Sequence, residues 1–190
     1  LDEFDSDEEA FIQMDLEEHD KETRLKACFQ LVAKLSETWP EEIQKIVSHY
    51  QETYMDAYSK SPDREWEKMI VVLNLIIAST VTRYSFKYGA TQIKLSNEDV
   101  QGYINNIIPI LNSEGDARPI MKSQIIKFIM IYRNYIPHDW LGSLVEKLGS
   151  FLGNQNNVIR MYAACALEKI LNMQMGQSQV IGKQDLRQGG

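Results

Sequence analysis

The sequence predicts an all-α protein, a HEAT-repeat α-solenoid in which about four antiparallel helix pairs stack into a right-handed superhelix. Three observations predict this fold class. Glycine and proline are scarce, with 10 and 5 among 190 residues, which argues against an architecture of many strands. Apolar residues recur at helical spacing along most of the chain. The third observation is a helical pattern that repeats.

The repeating pattern is clearest in Asn157–Leu171, where apolar and small side chains cover so wide an arc that the helix needs neighbours on more than one side. Residues Thr23–Leu35 align with Ile159–Leu171 without a gap, and Ile125–Met130 gives a weaker third copy. The spacing corresponds to units of about 47 residues, which is typical of HEAT and armadillo repeats. The positions expected to face neighbours are Met161, Ala163, Ala164, Cys165, Ala166, Leu167, Ile170 and Leu171.

Helical periodicity and its interruptions predict eight helices. Proline breaks the pattern at Pro62 and Pro137, and Pro109 should bend or end the helix in which it lies. Residues Thr38–Glu41 resemble a capping box with proline in the first turn. The predicted spans are Asp7–Glu17, Glu22–Glu37, Glu41–Ser59, Arg64–Tyr84, Ser96–Leu111, Arg118–Ile136, Asp139–Leu152 and Asn157–Leu171. The fifth span should be capped at Ser96, and Ile125, Phe128, Ile129 and Tyr132 of the sixth should point inward.

Composition divides the chain into three regions. Residues 1–20 contain ten acidic residues and no Lys or Arg, and are predicted to form an acidic segment with a short helix. Residues 21–173 carry the repeats, and residues 174–190 are polar and Gly/Gln-rich, which predicts a flexible tail. The chain begins at Leu1 and ends in Gly189-Gly190, so we expect a piece of a longer protein.

Two stretches are candidates for protein binding. The acidic start suits a basic protein surface, but without other evidence a solvated acidic loop that leads into a helix is the favoured explanation. Residues Ser85–Leu95 read as an irregular loop that lengthens one repeat, and its exposed aromatic and basic residues suit contact with a partner. The candidate protein-binding residues are Asp2, Glu3, Asp5, Asp7, Glu8, Glu9, Phe86, Lys87 and Tyr88.

The sequence contains no pattern that indicates a catalytic, cofactor or metal site. His19, His49 and His138 share no metal-ligand spacing, and phosphate-binding loops and nucleophile motifs are absent. No basic stripe indicates nucleic acid, and the apolar run Ile70–Ala78 is too short to insert across a membrane. Cys28 and Cys165 are predicted to be buried thiols in a reducing compartment.

Three blocks of the sequence resemble the central segment of the CAS exportin family. The first runs Phe11-Ile12-Gln13-Met14-Asp15-Leu16-Glu17 and continues through Thr23-Arg24 to Ala27-Cys28. The second is Ile126–Asn134 followed by Pro137, and the third is Tyr162-Ala163-Ala164 with Leu167-Glu168. The blocks occur in the family's order, and the resemblance covers Glu8 to Met173.

The resemblance implies a karyopherin of the importin-β superfamily, with residues 21–173 among its central HEAT repeats. Such exportins carry importin-α from nucleus to cytoplasm together with RanGTP, and release it when Ran hydrolyses GTP. The chain would then shuttle across the nuclear envelope, with nuclear pore proteins open as further partners, and would be neither an enzyme nor dependent on a cofactor. The alternative is another HEAT-repeat protein-interaction scaffold without Ran involvement.

Overall fold

A computed structural model describes residues 7–16, 23–112, 118–175 and 178–179 of the chain. Contacts between residues divide the chain into two compact units. The first unit comprises Leu1–Glu18, Tyr84–Thr91 and Ser96–Gly190, and the second comprises His19–Arg83 and Gln92–Leu95.

Helices account for most of the described residues, which confirms the predicted all-α class. The helices are α1 (Glu8–Leu16), α2 (Arg24–Thr38), α3 (Pro40–Lys60), α4 (Pro62–Thr80), α5 (Asn97–Ile107), α6 (Pro119–Tyr132), α7 (His138–Phe151) and α8 (Asn157–Leu171). Turns of 3₁₀ helix follow α5 at Ile108–Asn112 and α6 at Arg133–Tyr135. The strands are β1 (Val81–Ser85), β2 (Gly89–Ile93), β3 (Gln174–Met175) and β4 (Ser178–Gln179).

In the second unit, α2, α3 and α4 pack against one another. The core of this unit comes mainly from α4, whose Met69, Val72 and Leu73 are buried at helical spacing. In contrast, α2 has no fully buried residue. Its half-buried stripe includes Phe29 and Val32, and Cys28 lies beside that stripe in an exposed position. The prediction that Cys28 is buried is therefore wrong.

The predicted capping box at Thr38–Glu41 is also wrong. The Thr38 hydroxyl donates a hydrogen bond to the Lys34 carbonyl at 3.0 Å, so this side chain belongs to the last turn of α2. Trp39 stands at the N-cap of α3 and makes no side-chain capping bond. Pro40 does occupy the first turn of α3, as predicted, because that position needs no amide donor.

A β-hairpin replaces the end of one predicted helix and the irregular loop expected at Ser85–Leu95. Helix α4 ends at Thr80, whose hydroxyl donates to the Ile76 carbonyl at 2.7 Å. The chain then continues as β1, which hydrogen-bonds to β2. Only residues 86–88 connect the two strands, so the pair is antiparallel, because parallel strands need a long crossover.

In the first unit, α8 packs against α6, α7 and α1. Helix α6 is buried over most of its length, and the residues predicted to point inward, Ile125, Phe128, Ile129 and Tyr132, are all buried. The predicted helix that starts after Ser96 is α-helical only to Ile107, and Pro109 lies in the 3₁₀ turn that follows. Proline lacks the amide hydrogen that an α-helix requires at this point.

Helix α8 has the predicted bounds, but the predicted inward positions are only partly right. Met161 is 47% exposed and Ala164 is also exposed, whereas Ala166 and Ile170 are buried as expected. The buried face consists of Val158, Ile159, Tyr162, Ala163, Ala166 and Ile170. Nearly every side of this helix is apolar, so the packing of α1, α6 and α7 decides which face is covered.

At the end of the chain, β3 pairs with β4 in an antiparallel ladder of two residues each. The remaining part of the predicted flexible tail, residues 176–177 and 180–190, lies outside the described residues. The division into an acidic segment, repeats and a tail stays a prediction.

Candidate protein-binding site

The three aromatic and basic candidates form the turn of the β1–β2 hairpin. The Ser85 hydroxyl accepts a hydrogen bond from the Tyr88 amide at 3.2 Å, which closes the turn. Tyr88 is 59% exposed, and the ammonium of the exposed Lys87 lies 5.1 Å from the centroid of its ring. Phe86 is half-buried, with the Lys169 ammonium 4.4 Å from its ring centroid. The turn therefore exposes the Lys87 ammonium and the Tyr88 ring to solvent, while the half-buried Phe86 anchors it.

The buried side chain of Arg133, which follows α6, binds the backbone of this turn. Arg133 is 2% exposed, and its guanidinium donates to the carbonyl oxygens of Lys87 at 2.6 Å and Phe86 at 3.3 Å. It also donates to the Met130 carbonyl within its own turn. Burial lowers the pKa of Arg133, yet an arginine remains charged at neutral pH because its ordinary pKa is so high. The planar guanidinium carries five N–H donors in a rigid fork, which suits it to bonding several carbonyl oxygens at once.

The next residue, Asn134, adds two more bonds to the hairpin. Its side-chain amide donates to the carbonyl oxygens of Tyr88 at 2.7 Å and Ala90 at 3.0 Å. Gly89 lies between these carbonyls with φ at +73°, and a Cβ atom there would come within 2.9 Å of the Ile131 carbonyl. Only glycine combines this backbone conformation with so close an approach.

Sequence analysis did not assign Arg133 and Asn134 to the hairpin. A signal was present, because both residues belong to the block Ile126–Asn134 and follow directly on the apolar residues of α6. The sequence did not indicate which groups these two side chains bind, because the carbonyl oxygens that accept their hydrogen bonds lie 44 to 47 positions earlier in the chain.

The hairpin and its flanks are basic. Residues 81–95 contain Arg83, Lys87 and Lys94 and no Asp or Glu, although the whole chain has a formal net charge of −7. Tyr84 in β1 is 43% exposed. Within the turn itself the exposed Lys87 supplies the positive charge, and charge complementarity favours an acidic surface opposite such a group.

Three of the acidic candidates, Asp7, Glu8 and Glu9, lie at the start of α1, a separate element. Asp7 is exposed, and its carboxylate caps α1 by accepting a hydrogen bond from the Ala10 amide at 3.0 Å. Glu8 and Glu9 are the first two residues of α1. Asp2, Glu3 and Asp5 lie outside the described residues.

A third cluster centres on Asp15, an acid of α1 that sequence analysis did not select. One carboxylate oxygen accepts a hydrogen bond from the Lys127 ammonium. The other oxygen accepts from the Gln124 side-chain amide at 3.1 Å and from the Tyr162 hydroxyl. The side chains of Asp15 and Lys127 are 12% and 20% exposed. We name Asp15, Gln124, Lys127 and Tyr162 the carboxylate cluster.

Burial raises the pKa of Asp15, but the Lys127 ammonium and the hydrogen bonds from Lys127, Tyr162 and Gln124 lower it by more, so the net direction is downward. Burial, and then the Asp15 carboxylate, raise the pKa of Tyr162, which keeps its hydroxyl proton available for donation. The cluster therefore joins α1, α6 and α8 through one buried ionised group. Asp15, Lys127 and Tyr162 each belong to a different one of the three family-like blocks.

Within the described residues, no group of three or more His, Cys, Asp or Glu side chains could hold a metal ion. No helix there is long and apolar enough to cross a membrane. The described features that bear on function are the exposed hairpin turn, the capped start of α1 and the buried ion pair between α1 and α6.

Comparison with known proteins shows similarity along most of the chain. The family model for Cse1 matches residues 1–167. The Exportin-2 proteins of Mus musculus and Homo sapiens are each 30% identical over 171 residues, which cover 90% of this chain and 18% of each relative. The Importin-alpha re-exporter of Schizosaccharomyces pombe is 28% identical over 171 residues with the same coverage.

A solved structure, that of the exportin Cse1 in its cargo-free, cytoplasmic state, is similar in fold. It matches with a TM-score of 0.81 at 27% identity, over 90% of this chain and 18% of that one. This similarity confirms the predicted helical-repeat fold. The chain spans 18% of the length of these relatives.

Proposed function

Because this chain belongs to the Cse1 family, we propose that it is a segment of an exportin that carries importin-α from nucleus to cytoplasm. The observation that carries this proposal is the extent of the match: the chain aligns over 90% of its length with a relative named Importin-alpha re-exporter. The fold is similar over the same share of the chain, which adds structural support. The proposal is limited to a segment, since the alignment covers 18% of that relative.

In the proposed mechanism the chain acts by binding alone. Importin-α and RanGTP bind together in the nucleus, and hydrolysis of GTP by Ran in the cytoplasm releases the cargo. The chain supplies surface and no chemistry, so it needs no cofactor, and it shuttles between nucleus and cytoplasm through the nuclear envelope. Nuclear pore proteins are further proposed partners.

We assign the hairpin turn as a contact for a partner. Lys87 and Tyr88 are exposed, while Arg133 and Asn134 fix the backbone that carries them. A contact that is already rigid loses little conformational entropy on binding. Tyrosine is also among the residues that contribute most to interfaces. The positive charge of Lys87 in the turn favours an acidic patch on importin-α or Ran.

The acidic start is proposed to contact a basic surface on Ran or importin-α. Exposed ion pairs contribute only about 0–1 kcal/mol each. Several acids together therefore act mainly on the association rate, which salt should reduce by screening.

A chimera tests the proposed function. This chain replaces the matching 171-residue segment of the S. pombe Importin-alpha re-exporter, and the unaltered protein serves as control. Calorimetry with importin-α and Ran loaded with a GTP analogue should give affinities within about tenfold of each other, or about 1.4 kcal/mol. A chimera that melts like the control but has lost importin-α binding would instead favour a HEAT scaffold without a transport role.

A further inference from the structure

The carboxylate cluster resembles a receptor site occupied by a ligand. Lys127 and Gln124 come from α6 and Tyr162 comes from α8, and all three donate to a group that lies more than 100 positions earlier in the chain. The donors divide between the two oxygens, with Lys127 on one and Gln124 and Tyr162 on the other. The three donors are therefore placed to bind both oxygens of a carboxylate.

The helix that brings Asp15 has little stability of its own. Helix α1 contains nine residues, and isolated helices shorter than about 12–15 residues are marginal in water. Among its described side chains, Ile12 is 6% exposed and Asp15 is 12% exposed, while Phe11 and Leu16 are half-buried. Ile12 and Asp15 are three positions apart, so they share one face of the helix. Its order therefore depends on docking against α8 and α6.

We propose that Lys127, Gln124 and Tyr162 form a carboxylate-binding site, which α1 fills from within the chain and which an acidic helical segment of a partner protein fills in exchange. The ligand is an Asp or Glu with an aliphatic residue three positions earlier, which is the arrangement that Ile12 and Asp15 display. The covalent link gives α1 a high effective concentration, so a partner must bind tightly enough to displace it. The inference rests on α1, α6 and α8 and does not depend on the proposed cargo.

The first experiment uses the full 190-residue chain with Asp15→Asn, which frees the site of its own carboxylate. The probe is a capped peptide of residues 7–16, and binding is followed by NMR titration of the ¹⁵N-labelled chain. The peptide should bind at least about tenfold more tightly than the same peptide with Asn in place of Asp15, because hydrogen bonds to a charged group are stronger than those to a neutral one. Adding Lys127→Met to the chain should abolish this preference. Equal affinities for the two peptides would overturn the proposal.

A second measurement does not depend on the folding of any variant. In native-state hydrogen exchange of the wild-type chain, the α1 amides should exchange through a local opening of lower free energy than that of the α6 and α8 amides. If α1 exchanges only when α6 and α8 unfold, α1 is a fixed part of the core and the site never opens to a partner.

Discussion

The Asp15 carboxylate in α1 and the Lys127 ammonium in α6 form an ion pair between residues 112 positions apart in the chain. The pair is largely buried, and Gln124 and Tyr162 complete the hydrogen bonds to the carboxylate. A buried carboxylate satisfied in this way stays ionised, whereas a lone buried charge is strongly unfavourable. The pair therefore makes the docking of α1 sensitive to the charge of a single side chain.

The first prediction concerns pH. The pKa of Asp15 is lower than its ordinary value of 3.8 in the folded protein. The stabilisation from such a carboxylate is complete well above its unfolded pKa and is lost as the pH falls through that value toward the folded one. We expect urea unfolding to show a constant stability difference between wild type and Asp15→Asn from pH 7 to about 5, and a shrinking difference below about pH 4.

Asparagine is the control in this experiment because it resembles a protonated aspartic acid in size and shape. Comparing the two proteins at each pH cancels the titration of all other acids. A difference that stays constant down to about pH 3 would show that Asp15 is not held ionised by the cluster.

The second prediction concerns the hairpin turn. Gly89→Ala places a Cβ atom 2.9 Å from the Ile131 carbonyl and 3.0 Å from the Arg133 guanidinium, in a backbone with φ at +73°. The backbone conformation alone should cost about 1–2 kcal/mol in the free energy of unfolding. Gly102→Ala in α5 is the matched control, because no atom lies within 4 Å of the added Cβ.

Gly102→Ala should be neutral or stabilising by about 0.5–1 kcal/mol, since alanine favours a helix more than glycine does. Urea denaturation measures the free energy of unfolding of each variant, and the two values are compared. Equal effects from the two substitutions would mean that the hairpin does not approach the end of α6 as described.

The third prediction tests which face of α8 is buried. Ile170 is 0% exposed, and Ile170→Ala should cost about 2–5 kcal/mol in stability. Met161 on the same helix is 47% exposed, so Met161→Ala should change stability by less than about 0.5 kcal/mol. If thermal unfolding shows a larger loss of stability from Met161→Ala than from Ile170→Ala, Met161 lies on the buried face, as the sequence predicted.

The fourth prediction concerns partner contact at the hairpin. The double substitution of Lys87→Ala and Tyr88→Ala, made in the chimera, should weaken the complex with importin-α and Ran by about tenfold, or 1.4 kcal/mol. Thr91→Ala, an exposed position on β2, is the matched control and should leave affinity unchanged. Unaltered affinity in the double variant would remove the turn from the interface.

The fifth prediction concerns the acidic start. Replacing Asp2, Glu3 and Asp5 by their amides should slow association with the proposed partners, Ran and importin-α, and make the association rate less dependent on salt. The dissociation rate should change little. Stopped-flow measurements at low and physiological salt concentration test this. An unchanged salt dependence would indicate that these acids are merely solvated.

Local features of the fold could be predicted from the sequence. The bounds of α8, the inward face of α6 and the break at Pro109 follow from spacing and from proline chemistry, which act over a few residues. Ser96 also caps α5 as predicted, accepting a hydrogen bond from the Asp99 amide at 3.2 Å.

Features that depend on distant partners could not be predicted. The hairpin turn at residues 86–90 is fixed by Arg133 and Asn134, and the carboxylate cluster by residues from three helices. The buried face of α8 was only partly predicted, because a helix with apolar residues on nearly every side does not indicate which neighbours will cover it. Cys28 shows the same limit, since free cysteine is usually buried, yet this one is exposed on α2.

The most direct test of the proposed transport role is the affinity of the chimera for importin-α with Ran in three states. Calorimetry is performed with Ran bound to a GTP analogue, with Ran bound to GDP, and without Ran. We predict tight binding with the GTP analogue alone, weaker by at least about tenfold in the other two conditions, which corresponds to about 1.4 kcal/mol. Equal affinity in all three conditions, with the unaltered S. pombe protein still responding to the nucleotide, would contradict the role proposed for this segment.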